Sequence, residues 1–197
     1  MPVLQFPGDL WIYQDLLWEL KPNFVVETGT YCGGLALYLA SQMDHIPGSA
    51  EVITVDIDGD NWKNTLTSDA VPDRLKHRVM FLEGDSEDPE ILNRIAEKVA
   101  GKSVLVILDS YHARDHVLAE LRLYSKLVPL DGYVIVNDTH HDNTHWLNFQ
   151  EGPLAAVHAF LKENDQFVID TSRERFMISC FHSGILRRVR PEAETVP

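Results

Sequence analysis

Apolar runs and amphipathic stretches alternate along the chain. Each of five apolar runs is five to eight residues long and ends at or near an acidic side chain. Runs of this length without internal polar alternation are typical of strands that are buried on both faces of a parallel sheet. These five predicted strands are NFVVE (23–27), EVITVD (51–56), HRVMFLEG (77–84), SVLVILD (103–109) and GYVIVND (132–138).

Helical periodicity occupies the intervals between these runs. After Gly8-Asp9, apolar residues recur at helical spacing until Pro22, and a second helix is predicted over 35–43. Asp88 is a predicted N-cap, because Pro89 follows it at the first helical position. The last two predicted helices are the one after the fourth strand, with Val117, Leu121, Tyr124 and Val128 on one face, and the one over 153–164.

Strands that alternate with helices predict the fold class. We expect an α/β protein with a single doubly wound (Rossmann-like), seven-stranded sheet that is mostly parallel and has an antiparallel last strand. Segments 167–170 and 175–181 are predicted to form the final antiparallel pair, joined by a short turn. We expect one domain over 1–197, with frayed tails at 1–8 and 191–197.

Composition and charge exclude several classes of partner. The net charge of −13 over 197 residues opposes nucleic-acid binding, because phosphate backbones require basic surfaces. No signal-peptide pattern and no apolar run of about 18 residues is present, so we expect neither secretion nor a membrane span. Two cysteines, Cys32 and Cys180, are typical of a reducing compartment, and we expect a cytoplasmic protein. The sequence is compatible with a homo-oligomer.

The turn after the first strand is a candidate cofactor site. VVETGTYCGG (25–34) lies at a strand's carboxyl end, where doubly wound sheets bind ligands, although a glycine-rich turn can also serve backbone geometry alone. The dinucleotide pattern GxGxxG is absent, and Glu27 suits a positively charged cofactor, which favours S-adenosylmethionine (SAM) over NAD. Asp56 is placed to bind ribose hydroxyls, and Asp85 or Ser86 can reach an adenine edge.

A second polar constellation follows the fourth and fifth strands. Asp109, Asn137 and Asp138 are expected side by side at the same sheet edge as Glu27. Two carboxylates and an amide oxygen form a hard donor set that suits Mg²⁺, although an acid at a strand end is often only a turn former.

Histidines crowd the same region. His112 follows Asp109 by three residues, and His116 lies one helical turn further on. One alternative is a transition-metal site of two histidines with Asp138 or Asp142; another is that the loop after the fifth strand lines the substrate pocket together with Trp146 and Phe149. The histidines of that loop are His140, His141 and His145.

The motifs resemble known methyltransferases. ETGTYCGGLALYLA, ITVDID and GDSED resemble the cofactor motifs of class I SAM-dependent methyltransferases of the catechol O-methyltransferase type, and LDSYH and VND resemble that type's metal segments. Over residues 9–189 the chain resembles the family known as cephalosporin hydroxylase or rhamnosyl O-methyltransferase. The sequence departs from that family at Asn137, where an acid is usual, which removes one negative charge from the metal site.

The resemblance implies a role for each matching residue. His112 falls at the position of a general base. Asp109, Asn137 and Asp138 fall at the metal-ligand positions. The cofactor-binding residues that it implies are Glu27, Gly29, Thr30, Tyr31, Gly33, Asp56, Ile57, Asp85, Ser86, Asp109 and Tyr111.

The resulting hypothesis is a SAM-dependent, Mg²⁺-dependent O-methyltransferase. Its acceptor is expected to be a hydroxyl of a small molecule, either a sugar or a natural product, with a vicinal diol as one form. The alternatives are a hydroxylase-type oxygenase, a SAM-binding module without turnover, and a dehydrogenase, which the missing GxGxxG pattern disfavours.

Overall fold

The computed structural model describes residues 3–46, 50–143 and 151–191. Within them, seven strands form one sheet in the order β3-β2-β1-β4-β5-β7-β6. The strands are β1 (Phe24–Thr28), β2 (Glu51–Asp56), β3 (Val79–Glu83), β4 (Val104–Leu108), β5 (Tyr133–Val136), β6 (Phe167–Ile169) and β7 (Ile185–Arg188).

The topology confirms the predicted fold class. Strands β1 to β5 pair in parallel, and β7 runs antiparallel to both β5 and β6. The strand order reverses at β1, because β2 lies on one side of it and β4 on the other. Ligands of doubly wound sheets bind at such a switch point, outside the carboxyl ends of the strands.

Helices cover both faces of the sheet. The helices in the described residues are α1 (Pro7–Leu20), α2 (Gly34–Met43), α3 (Asp60–Leu66), α4 (Asp73–Lys76), α5 (Pro89–Val99), α6 (Arg114–Tyr124) and α7 (Pro153–Glu163). Apolar side chains of α1 to α4 form one core with one face of the sheet, and those of α5 to α7 form a second core with the other face. Strands buried on both sides explain the continuous apolar runs of the sequence.

Helix caps follow the predicted chemistry at α5. The carboxylate of Asp88 accepts a hydrogen bond from the Glu90 N–H (2.8 Å), and Pro89 begins the helix.

Neither α3 nor α4 was predicted, because both are short and mostly exposed and have no apolar repeat long enough to recognise. None of the helices formed by 3–46, 50–143 and 151–191 has the length and apolar content needed to span a bilayer.

The predicted strand over 175–181 is wrong. These residues are irregular, and the last strand is β7, reached from β6 by a connection that includes the 3-10 turn Thr171–Arg173 rather than by a short turn. The segment contacts α1 instead of pairing as a strand: the Cys180 N–H donates to Asp9 (2.7 Å), and the Phe181 ring meets Tyr13 edge-on.

The N-terminal segment is more ordered than the sequence suggests. A frayed tail was expected over 1–8, yet α1 begins at Pro7, and the Gln5 amide donates to Asp109 across the sheet edge (3.2 Å). Of the expected C-terminal tail, residues 192–197 lie outside the described part of the chain.

Candidate active site

A cavity of about 680 Å³ opens at the switch point, over the carboxyl ends of β1 to β4. Its size lies in the range of small-molecule sites. Every predicted cofactor residue except Gly33 lines it, together with two members of the metal constellation. The predicted residues in its wall are Glu27, Gly29, Thr30, Tyr31, Asp56, Ile57, Asp85, Ser86, Asp109, Tyr111, His112 and Asp138.

Gly29 lets the ends of β1 and β4 approach each other closely. Its φ is +85°, and a Cβ built there would lie 1.9 Å from the backbone oxygen of Asp109. The conformation and the contact therefore both require glycine. Gly33, by contrast, lies behind the cavity: it precedes α2 with φ +72°, and a Cβ there would meet the Trp62 ring at 2.3 Å.

Glu27 is a buried carboxyl group in the cavity wall. It is 1% exposed, and its Oε2 accepts a hydrogen bond from the Thr54 hydroxyl (2.5 Å). Because Thr54 uses its proton there, the Thr30 hydroxyl donates to Thr54 (2.7 Å). Burial raises the pKa of Glu27 to about 8, helped by the nearby charges of Asp109 and Asp56 and opposed by the Thr54 hydrogen bond. A cationic ligand group beside it would favour the ionised form.

Asp56, at the end of β2, stabilises the turn that follows β1. Its carboxylate accepts hydrogen bonds from the N–H groups of Tyr31 (2.7 Å) and Asp58 (3.1 Å). Tyr31 has φ +48°, a conformation that is uncommon for a residue with a side chain. The Asp56 hydrogen bond supports this turn, and the neighbouring Ile57 is 76% exposed at the cavity mouth.

His112 lies between two carboxylates at the other end of the cavity. Its Nε2 is 2.8 Å from Oδ2 of Asp138 and 3.8 Å from Oδ1 of Asp109. Burial alone would lower the pKa of His112, but the two carboxylates raise it to about 9. Burial raises the pKa of Asp109 to about 6, against the effect of His112, and the pKa of Asp138 falls because His112 outweighs the effect of burial. Asp109 and Asp138 therefore offer carboxylate oxygens on either side of His112, and carboxylate oxygens are suitable ligands for a divalent cation.

Of the two polar residues that follow β5, one lines the cavity and the other does not. Asp138 adopts φ +56° and lines the cavity. Asn137 is 1% exposed and does not line the cavity; its Oδ1 accepts a hydrogen bond from the buried Tyr13 hydroxyl of α1 (2.9 Å). The amide predicted as a metal ligand therefore has its oxygen engaged within the core.

Tyr13→Phe is expected to destabilise the fold. The substitution leaves the buried Asn137 oxygen without its donor, which costs about 1–3 kcal/mol. Urea unfolding would measure the change, with Tyr31→Phe as a control, since Tyr31 is 53% exposed. An unfolding free energy equal for Tyr13→Phe and the unmodified protein would contradict a contribution of this hydrogen bond.

The loop histidines are partly described. His140 Nδ1 lies 3.1 Å from the Cys180 carbonyl oxygen, and its ring centroid is 4.2 Å from that of His141. One ligand atom each from His112, Asp138 and His141 lies within 4.8 Å of the other two. Two of the loop histidines thus approach the metal constellation. His145, Trp146 and Phe149, which were expected near the pocket, lie outside the described residues.

His116 is a cavity residue to which the sequence analysis gave no role. Its Nε2 is 2.9 Å from the Ser110 hydroxyl, and its Nδ1 is 2.7 Å from Glu87. Ser110 donates to the fully buried carboxylate of Glu120 (2.8 Å). Glu120 raises the pKa of His116 most, against burial, and Glu87 adds to the effect. Helical spacing placed His116 near the site, but its partners come from α6 itself and from the segments that follow β3 and β4.

Gln5 and Leu4 also line the cavity, and no sequence signal indicated them. The Gln5 amide donates to Oδ2 of Asp109, so the N-terminal segment contacts one of the predicted metal ligands. Two glycines and two aliphatic residues complete the wall; these are Gly34, Gly84, Leu35 and Val55.

Comparison with known proteins identifies the family. The family model for Rhamnosyl O-methyltransferase/CmcI matches residues 1–189. The chain belongs to this family. It is 37% identical over 173 residues to the rhamnosyl O-methyltransferase of Mycobacterium bovis, covering 85% of this chain and 67% of that relative. The Mycobacterium leprae enzyme is 33% identical over 177 residues, covering 87% of this chain and 73% of the relative.

Solved structures share the fold of this Rhamnosyl O-methyltransferase/CmcI family member. A CmcI structure described with Mg and SAM superposes with a TM-score of 0.71 at 21% identity, covering 96% of this chain and 75% of that one. The MycE methyltransferase from the mycinamycin biosynthetic pathway, in complex with Mg and SAH, gives a TM-score of 0.56 at 19% identity, covering 97% and 51%.

Family membership confirms the predicted class, a SAM-dependent O-methyltransferase. The predicted cofactors, SAM and Mg²⁺ or another divalent cation, are the ones found together in the CmcI structure that shares this fold. The roles predicted for individual residues remain predictions, and the geometry above shows which of them lie together in one cavity.

Proposed function

We propose that this protein transfers the methyl group of SAM to a hydroxyl of a small molecule, with a sugar hydroxyl as the preferred acceptor, and that the reaction depends on a divalent cation. The observation that carries the proposal is one cavity with Glu27 and Asp56 at one end and Asp109, His112 and Asp138 at the other. The sugar is suggested by the relatives, whose names specify a rhamnosyl group.

The end of the cavity near β1 and β2 suits SAM. Glu27 can face a positively charged methionine end, and Asp56 can accept hydrogen bonds from ribose hydroxyls. Asp85, Ser86 and Tyr111 border the space left for adenine. SAM supplies a methyl group on a sulfonium leaving group. The protein contributes most by holding this group in line with the acceptor oxygen.

The other end suits a divalent cation. Asp109 and Asp138 are the residues proposed to hold it, with Asn137 as the third ligand predicted from the sequence. A bound divalent cation supplies Lewis-acid activation and orientation of a hydroxyl group. A vicinal diol would offer two oxygens to such a site.

His112 is the proposed proton acceptor. With a pKa of about 9 it carries a proton at pH 7 as long as no other cation lies beside Asp109 and Asp138. Positive charge beside these carboxylates would lower the pKa of His112 and leave a neutral imidazole. His112 then takes the hydroxyl proton as the acceptor oxygen bonds to the methyl carbon. The carbon–sulfur bond breaks, and its electron pair remains on sulfur.

Transfer of labelled methyl from SAM tests the function. The purified protein would be assayed against rhamnosides, other deoxysugar glycosides and phenolic diols, with Mg²⁺ and with chelator. We expect a methyl ether product and SAH in equal amounts, and loss of both in chelator. SAM binding by calorimetry without turnover on any acceptor of this panel would support the SAM-binding module instead.

The burial of Glu27 predicts that SAM binding depends on pH. Because the pKa of Glu27 is about 8 in the free protein, SAM binding at pH 7 should ionise it and release a proton. SAM affinity is therefore expected to rise between pH 6 and pH 8, approaching about tenfold per pH unit well below pH 8, and to level off above it. Calorimetry in buffers of different ionisation enthalpy would count the protons. Glu27→Gln, which cannot ionise, should remove this part of the pH dependence; an unchanged slope would exclude Glu27 as its source.

A hydroxylase-type oxygenase is the second candidate, because His112, Asp138 and His141 bring two imidazoles and one carboxylate together. Non-haem iron(II) oxygenases use this donor set. Product formation that requires iron(II) and oxoglutarate, and proceeds without SAM, would favour this candidate over methyl transfer.

A further inference from the structure

One of the three donors expected in the metal constellation does not line the cavity. The three-oxygen set predicted from the sequence includes Asn137, but the Asn137 oxygen accepts the Tyr13 hydroxyl inside the core, and Asn137 does not line the cavity. Asp109 and Asp138 remain as the oxygen donors of the predicted set that face the cavity. Two carboxylates leave more coordination positions to water than three protein ligands would.

His141 lies where a replacement donor is needed. A ring nitrogen of His141, a carboxylate oxygen of Asp138 and a ring nitrogen of His112 all lie within 4.8 Å of one another. The His112 nitrogen, in turn, lies 2.8 Å from Asp138 and 3.8 Å from Asp109. A cation that takes the place of this nitrogen beside Asp138 would therefore have His141 within reach.

The turn that carries His141 is anchored at both ends. It is the 3-10 turn Thr139–Asn143. The Thr139 hydroxyl donates to the His182 carbonyl oxygen (2.6 Å). The Asp142 carboxylate accepts from the N–H groups of Gly152 and Leu154 at the start of α7, each at 2.8 Å. These hydrogen bonds fix the position of the turn, so the backbone of His141 loses little freedom when a ligand binds its side chain.

We infer that His141, together with Asp138, is a ligand of the divalent cation in place of Asn137. This inference rests on the proposed function only in that a divalent cation binds at this cleft. Replacing an oxygen donor by imidazole nitrogen favours Co²⁺ and Zn²⁺ over Mg²⁺, which binds oxygen ligands. The site of this chain therefore selects a transition metal, while His112 stays available as the proton acceptor.

Metal titration of the metal-free protein tests the ligand without measuring activity. Co²⁺ binding would be followed by its visible absorption, which reports coordination directly, and Mg²⁺ binding by calorimetry. The unmodified protein is expected to bind Co²⁺ at least about tenfold more tightly than Mg²⁺. His141→Ala should weaken Co²⁺ binding by about 10–100-fold, change the Co²⁺ spectrum and affect Mg²⁺ binding much less.

Two controls separate this inference from folding and from the proposed function. His158→Ala removes an exposed histidine of α7 and should leave the metal affinities unchanged. His141→Asn keeps a polar side chain, and equal circular dichroism and SAM affinity would show an intact fold. An unaltered Co²⁺ spectrum and affinity in both His141 variants would overturn the assignment of His141, even if methyl transfer remained metal-dependent. Failure of methyl transfer with every metal would contradict the proposed function instead.

Discussion

Asp138→Asn is expected to lower methyl transfer by about 100-fold or more, because it removes one of the two carboxylates proposed to hold the cation. Asparagine is the informative replacement. Asp138 has φ +56°, a conformation that asparagine tolerates better than alanine does, so the loss reports charge and ligation rather than backbone strain. Asp109→Asn should act similarly, because Asp109 contacts the same imidazole of His112.

The measurement is the rate of methyl transfer as a function of metal concentration, with SAM affinity measured separately. We expect the metal concentration for half-maximal rate to rise steeply while SAM still binds. Asp115→Ala is the matched control, since Asp115 is an exposed carboxylate of α6 outside the cavity wall. Full activity of both asparagine variants in the presence of chelator would show that no cation participates.

Gly29→Ala is expected to destabilise the protein by about 3 kcal/mol or more and to abolish SAM binding. The added methyl group would lie 1.9 Å from the backbone oxygen of Asp109, so β1 and β4 must separate at the site itself. Their separation would displace both Glu27 and Asp109, because β1 and β4 end side by side at the cavity wall.

Gly101→Ala isolates the contribution of backbone conformation. Gly101 has φ +69°, close to that of Gly29, but a Cβ there meets no atom within 4 Å. Its substitution should cost about 1 kcal/mol and leave SAM binding intact. Denaturant unfolding and calorimetry would compare the two variants; equal losses of stability would mean that the contact with Asp109 costs nothing beyond the strain of a positive φ.

Strand ends were predictable, because hydrophobic runs reveal parallel strands directly. Once β1, β2 and β4 are parallel neighbours, Glu27, Asp56 and Asp109 must lie at the same edge of the sheet, and the cavity confirms that they do. The contacts of a residue were harder to predict where they depend on the direction in which its side chain points. Asn137 follows its strand as predicted, yet its amide oxygen accepts the buried Tyr13 hydroxyl and Asn137 does not line the cavity.

Segments whose partners are distant in sequence were mispredicted or missed. The stretch 175–181 has the composition of a strand, but its backbone bonds to Asp9 of α1, a residue 171 positions away from Cys180. Gln5 carries no pattern at all, and it reaches Asp109 only because α1 brings the N-terminus across the sheet edge.

The sequence by itself determined the doubly wound sheet, the edge at which its polar residues gather and, through its motifs, the methyltransferase class. The sheet and its polar edge follow from periodicity and from chain order, which need no knowledge of packing, and the class follows from the resemblance of the motifs to a known family. Only the tertiary structure decided that Tyr13 holds the Asn137 amide, that His112 lies between Asp109 and Asp138, and that His141 approaches them. Such contacts depend on how separate elements pack, and the free energy of each contact is set by burial and charge contributed by residues far apart in the chain.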